Sequence, residues 1–188
     1  AMFAGGQCSC VYDNEAQTQE IAVQISAGSA ENQLSGVLVN RVPRTGGNML
    51  SAEFLTNFSN SDLASQNLDD ELFARGLTTA PELYKQYDIN YTVAGPLIKD
   101  RLWFFISGRN WAYNNYVGGA FNADGTQARD DNSISAFPVR LTGQITPNNK
   151  VTALFTWSEK LRGHANLSAT ISPEASLKQS QPAQHIAQ

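Results

Sequence analysis

Cysteine, histidine and charge are all scarce in this chain: two cysteines, two histidines and 16% charged residues among 188. Cys8 and Cys10 share a glycine- and serine-containing start, and His164 and His185 lie far away in sequence. A structural zinc site takes about four ligands, so no metal site is expected. A local disulfide, which needs an oxidising compartment, stays open. The formal net charge is −4, which leaves no electrostatic footprint for nucleic acid. No run of about 18 apolar residues occurs, which excludes a transmembrane helix. It does not exclude a membrane β-barrel, whose strands alternate so that polar residues cancel apolar ones in a hydropathy window. Nucleophile elbow, phosphate loop and dinucleotide fingerprint are missing, so neither an enzyme nor a cofactor is expected. The start, "AMFAGGQCSC", has no basic and apolar leader pattern, and "QPAQHIAQ" closes no element. Both ends read as cuts through a longer chain.

Alternation of apolar and polar residues is abundant. "TQEIAVQIS" puts Ile21, Val23 and Ile25 opposite Glu20, Ala22 and Gln24 and reads as a strand over 18–26. "SGVLVNRVP" is a second strand over 35–43, ending at Pro43, which has no backbone donor. Gly46, Gly47 and Asn48 in "RTGGN" then form a flexible joint. "LSAEFLTNF" sets Leu50, Ala52, Phe54 and Phe58 against Ser51, Glu53 and Asn57, with Leu55 as the exception. A polar segment over 59–86 follows. In it "NLDDELFARGL" predicts a short helix capped by Asn67 and stopped by Gly76. Thr79 and Glu82 have the spacing of a capping box for another turn.

Three further alternations come later. "YDINYTV" places Tyr87, Ile89, Tyr91 and Val93 on one face. "FPVRLTGQIT" does the same with Val139, Leu141, Gly143 and Ile145. "VTALFTWSE" does so with Val151, Ala153, Phe155 and Trp157. Between them "LWFFISGRNWAYNNY" predicts a long strand to about Tyr116, and "VGGAFNADGTQARDDNS" a loop. Beyond Lys160 the chain reads as polar and irregular. Connections after Asn48 therefore alternate between long ones of roughly 20 residues and short ones of about 4–7, whereas compact soluble domains favour short connections throughout. Long loops at one end and short turns at the other, on strands of about 10 residues, are the pattern of outer-membrane barrels.

The apolar burst "LWFF" is apolar on both faces, so Arg109 decides its orientation. Trp103, Phe105, Trp111 and Tyr113 share the face of Arg109. A charge there would cost about 2–4 kcal/mol in the middle of a bilayer. The face of Leu102, Phe104, Ile106, Gly108 and Ala112 carries no charge and is assigned to lipid. The corresponding lipid-facing positions on the other strands are Tyr87, Ile89 and Tyr91, then Val139 and Leu141, then Phe155 and Trp157. Tyr116 and Trp157 are placed near an outer aromatic girdle. A soluble β-sandwich explains the alternation equally well and the connection pattern poorly.

These residues reach a known family. "QEIAVQISAGSAENQLSGVLVNRVPRTGGN" resembles the C-terminal part of the plug domain of TonB-dependent outer-membrane receptors. "NMLSAEFLTNFSNSDLASQNL", "ELFARGL" and "YDINYTVAGPLIKDRLWFF" resemble the first barrel strands and first loop of the Oar-like branch of that family. "LFTWSEKLRGH" and "SPEAS" resemble the following strand and loop. The most specific piece is Gly95, Pro96, Lys99, Asp100, Arg101, Leu102, Trp103, Phe104 and Phe105. The resemblance implies a mainly β fold: the end of a plug over 1–48, then antiparallel up-and-down strands of an incomplete barrel over 49–188, with short helical turns in a long loop. The family barrel has about 22 strands around a plugged lumen, of which about five are expected here. The resemblance also implies the cell outer membrane and energised uptake of a substrate the sequence does not name. The implied partners are TonB through a box absent from this chain, outer-membrane lipid, the rest of the barrel and an extracellular substrate.

Within that reading Arg41 and Arg44 flank the last plug strand and are candidates for ion pairing with the barrel wall, with Glu53 as a partner. The bland alternative is a solvated strand edge. Asp69–Asp70 and Asp130–Asp131 read as solvated loop charge. Asn122, Asp124 and Gly125 faintly resemble a calcium loop but lack its bidentate Glu. Trp111 and Tyr113 are candidates for girdle, packing or substrate contact; no substrate-binding residue is assigned. Two other functions fit the alternation: an outer-membrane β protein for adhesion or surface assembly without TonB coupling, and a soluble carbohydrate-binding β domain. The face assignment predicts that Ile89→Arg or Leu141→Arg blocks barrel assembly of the complete protein, while Asn90→Arg or Thr142→Arg is tolerated. Membrane fractionation reads the outcome, and equal tolerance on both faces would count against insertion.

Overall fold

The computed structural model describes residues 14–24, 38–65, 68–77 and 79–187. Cys8, Cys10, Ile25 and Asn67 lie outside these. The fold is mainly β and antiparallel. Strands β1 (Thr18–Gln24) and β2 (Leu38–Pro43) form a two-stranded sheet. Strands β3 (Ser51–Asn60), β4 (Glu82–Ile98), β5 (Leu102–Phe121), β6 (Gln127–Thr146), β7 (Asn149–Ala165) and β8 (Leu177–Ala187) form a six-stranded sheet in sequential order. Each neighbour pairs with the next in an up-and-down meander, leaving β3 and β8 as its edges. Helix α1 (Asp70–Ala74) is a single short helix in the β3–β4 connection. No helix among the described residues is long and apolar enough to cross a membrane.

Several sequence expectations need correcting. The expected loop after Tyr116 is instead a continued hairpin: β5 runs to Phe121, β6 starts at Gln127, and the turn between them is short. The region beyond Lys160 is also ordered, with β7 reaching Ala165 and β8 following. The sheet therefore holds six strands and not five. Asp130 and Asp131 consequently sit in β6, not in a loop. The added strand ends show no apolar alternation, 117–121 because it is glycine-rich and 129–133 because it is polar on both faces, so backbone pairing and not apolar periodicity defines them. Glu82 begins β4, and the Thr79 hydroxyl accepts a hydrogen bond from the Gly119 amide at 2.8 Å. The expected capping box is thus absent. Asp69 caps α1 by accepting from the Leu72 amide at 2.9 Å, and Gly76 follows with φ +94°.

Register lines up the faces of all these strands. Ala52 lies opposite Val93, Val93 opposite Ile106, Ile106 opposite Val139 and Val139 opposite Phe155. Phe104 lies opposite Leu141, and Leu141 opposite Ala153. Since a one-residue slip would invert a strand, the two-residue period fixes one apolar and one polar face for the whole sheet. Tyr91 lies opposite Gly108 and covers it: a Cβ on Gly108 would fall 2.3 Å from the Tyr91 ring.

The distribution of burial is inverted relative to a soluble sheet. On the polar face Thr92, Ser107, Thr142, Thr156 and Ser158 are buried, Ser107 completely. On the apolar face Phe54 is 68% exposed, Val151 58% and Phe155 42%.

Candidate functional surfaces

Three features carry functional candidates: the bare apolar face, the joint between the two sheets and the covered polar face. All ten positions assigned to lipid lie on the apolar face. Tyr87, Ile89 and Tyr91 occupy it in β4, and Leu102, Phe104 and Ile106 in β5. Val139 and Leu141 continue it in β6, and Phe155 and Trp157 in β7. Phe54 and Phe58 extend it onto β3, opposite Tyr91 and Tyr87.

The edge of this apolar band is stepped between β4 and β5. On β4 it reaches Tyr87, which is level with Ala112 on β5. Ala112 is level with Ser133, and Ser133 with Leu161. On β7 the uninterrupted apolar run stops at Trp157, before Glu159. On β5, β6 and β7 the band stops before Asn110, Ser135 and Glu159, which stand opposite one another. The edge is therefore level across β5–β7 and lies four residues further out on β3 and β4, at Phe58 and Tyr87. Tyr116 lies eight residues beyond Gly108, whereas Trp157 faces Phe137 within the band. The two aromatics expected in one girdle therefore stand at different levels.

The joint is a set of close contacts at the short-turn end of the sheet. The Asn48 side-chain oxygen accepts from the Asp100 amide at 2.9 Å and from Trp103 Nε1 at 2.7 Å, while its amide nitrogen donates to the Asp100 carboxylate. Asp100 has φ +62° in the β4–β5 turn, so Asn48 clamps a turn that is otherwise strained. A Cβ on Gly46 would lie 2.3 Å from the Phe104 carbonyl oxygen, whereas nothing lies within 4 Å of one on Gly47. Neither glycine has positive φ. Gly46 therefore serves close backbone approach and not chain reversal, a correction to the flexible-joint expectation.

Arg44 pairs with Glu53 at 3.4 Å, with side chains 44% and 65% exposed. Exposed pairs contribute about 0–1 kcal/mol, so this contact is a weak fastener. Arg41 lies in β2 opposite Ile21. The stronger fastenings were not legible as motifs. Asn14 is fully buried; its amide nitrogen donates to Ser107 Oγ at 2.8 Å and to Asn90 Oδ1 at 3.2 Å. Asn90 returns a bond to Asn14 Oδ1 at 3.0 Å. Arg140 donates to the Pro43 carbonyl at 3.0 Å. The N-terminal segment is thereby tied to the polar face of β4, β5 and β6.

The same face carries ion pairs along its length. Arg109 grips Asp88 through two bonds, at 3.0 and 2.7 Å. Arg162 grips Asp130 in the same bidentate way, with one bond at 2.9 Å. Trp111 and Tyr113 stack beside the first pair, with rings 6.4 Å apart and 9° between planes. At the β5–β6 tip Thr126 donates to Asp124 from its hydroxyl and amide, holding that carboxyl below the usual carboxylate range. Both bonds fall on Oδ1, one of the two Asp124 carboxylate oxygens. No cluster of three or more His, Cys, Asp and Glu side chains capable of holding a metal occurs among the described residues.

No protein-family model matches the chain, and no curated protein or solved structure matches it significantly. The geometry of the joint predicts an asymmetric pair: Gly46→Ala lowers stability by about 1–3 kcal/mol, as overpacking does, while Gly47→Ala is nearly neutral. Denaturant midpoints of the folded protein measure both, and equal effects would contradict the close-approach role. Because Asn90 is bonded to Asn14 and Thr142 is 3% exposed, the tolerated control for a polar-face arginine moves to exposed Asn57.

Proposed function

We propose that this chain is part of a TonB-dependent outer-membrane transporter of the Oar-like kind: the end of a plug joined to the first strands of its barrel. The observation that carries the reading is the inverted sheet. In water a sheet buries its apolar face. Here the apolar face is bare and the polar face is covered by the chain's own N-terminal segment. A lipid exterior and a polar, plugged interior account for both facts at once. A soluble carbohydrate-binding sheet would need a second layer over Phe54, Leu141 and Phe155, which are exposed among the described residues.

In this reading the ion pairs Arg109–Asp88 and Arg162–Asp130 lie on the lumen side, where water and the plug satisfy charge. The joint at Gly46, Gly47 and Asn48 anchors the plug at the end of the β4–β5 and β6–β7 turns, away from the long β3–β4 connection, which on this reading is the periplasmic end of the barrel. TonB acts on a segment upstream, the proton gradient supplies the energy, and the chain performs no covalent chemistry. The substrate is extracellular and its class is not assigned.

The test is made on the complete protein. It is expected in the outer-membrane fraction, folded as an SDS-resistant barrel until heated, and cross-linkable to TonB through an upstream box. Recovery in the aqueous fraction would overturn the membrane reading. Insertion without any TonB contact would favour an adhesion or assembly role instead.

A further inference from the structure

Two fastenings of different kinds hold the N-terminal segment to the polar face. Asn14 is the first. Its buried side chain bonds only to neutral groups: Nδ2 donates to Asn90 and Ser107, and Oδ1 accepts from Asn90 and from the Ala16 amide. Water can take over each of these bonds once the side chain is displaced. Arg140 is the second. It stands on β6 opposite Phe105 and Leu154, and its Nη1 donates to the Pro43 carbonyl at 3.0 Å. Its Nε is buried without a partner, and no carboxylate pairs with it among the described residues. Losing Pro43 would leave a half-buried cation with nothing to bond. The chain is held again just beyond Pro43, by Gly46 against Phe104 and by Asn48 on the β4–β5 turn.

Topology sets the order in which these fastenings yield. β1 begins at Thr18, opposite Pro43 where β2 ends, and the Arg44 amide closes the same end by donating to the Gln17 carbonyl at 2.6 Å. Asn14 and Arg140 therefore hold the two strands of one pair at one end. A pull on the chain before Asn14 is opposed at Pro43. It opens the ladder rung by rung from Thr18 and never loads the rungs together. The pair resists this weakly. A lone two-stranded sheet is marginal in water, and Ile21, Val23 and Val39 are largely exposed. Removing both strands as one unit would instead require the Asn14 and Arg140 bonds to break together while every rung held.

We propose that the segment opens by peeling, with Asn14 as the catch and Arg140 as the stop. Asn14 yields first, β1 unzips from Thr18, and Arg140 keeps the end of β2 on the sheet. β2 is then the template on which β1 re-forms when the load ends. The proposal rests on the transporter reading, which supplies a load from upstream.

The experiment pulls the complete protein, reconstituted in a bilayer, by a handle at its N-terminus under constant force. The last extension before the barrel resists is expected to span 14–43, about 100 Å at roughly 3.4 Å per residue, and to reverse when the force drops. Asn14→Ala and, separately, Ser107→Ala speed its onset about tenfold. Arg140→Met leaves the onset unchanged and lengthens the extension by about 10–17 Å, to Gly46 or Asn48. Re-formation of the closed state then slows about tenfold, and Arg140→Lys, which keeps a donor, restores the shorter extension. If Asn14→Ala does not assemble, Ser107→Ala tests the catch from the other side. An onset unchanged in both catch variants, or an extension of equal length with and without Arg140, would overturn the proposal. An onset advanced as much by Arg140→Met as by Asn14→Ala would mean that both strands leave together, and would overturn it too. Recovery of the protein outside the outer membrane would instead sink the reading beneath it.

Discussion

The backbone ladder running from β3 to β8 is the constraint on which everything else depends. Each hydrogen-bonded step fixes which residue stands opposite which, and the two-residue period then fixes the side of the sheet on which each side chain emerges. Without that register, Phe54, Tyr91, Phe104, Leu141 and Phe155 would be scattered hydrophobic residues. With it they form one surface. The same ladder collects Asp88, Arg109, Asp130 and Arg162 on the other side, where each charge finds its partner.

The polar face gains its cover from few contacts. Asn14 inserts a fully buried amide between Asn90 and Ser107, and an unpaired amide there would cost about 1–3 kcal/mol. Asn48 and Gly46 fix the other end against the β4–β5 turn and the Phe104 backbone. Between these points β1 and β2 present Ile21, Val23 and Val39 as largely exposed side chains. Among the described residues the small sheet is therefore fastened at its ends, with no apolar core shared with the large one. On the proposed function, such a plug is held by polar contacts that exchange readily with water.

The strands whose one face is apolar were legible from the sequence, because burial or lipid contact selects a period that can be read. Tyr87, Ile89 and Tyr91 are an example, and the single charge of Arg109 was enough to orient its strand. The strand ends past Tyr116 and Lys160 were not legible. Asp130, Asp131 and Asn132 are polar on both faces, and only pairing across the sheet holds them extended. Glycine was legible at the joint, but its reason was not: nothing in "RTGGN" distinguishes Gly46, pressed against a carbonyl, from Gly47, in open space. Asn14 gave no signal at all, since its partners are 76 and 93 residues away.

The most direct test of an inverted sheet is the environment of successive side chains along one strand. Spin labels placed singly at each position over 151–157 of β7 in the membrane-embedded complete protein report collision with oxygen, which concentrates in lipid, and with a water-soluble nickel chelate. The account predicts alternation, with oxygen favoured at Val151, Ala153, Phe155 and Trp157, nickel favoured at Thr152 and Leu154, and buried Thr156 shielded from both. Uniform nickel access, or alternation of the opposite phase, would contradict it.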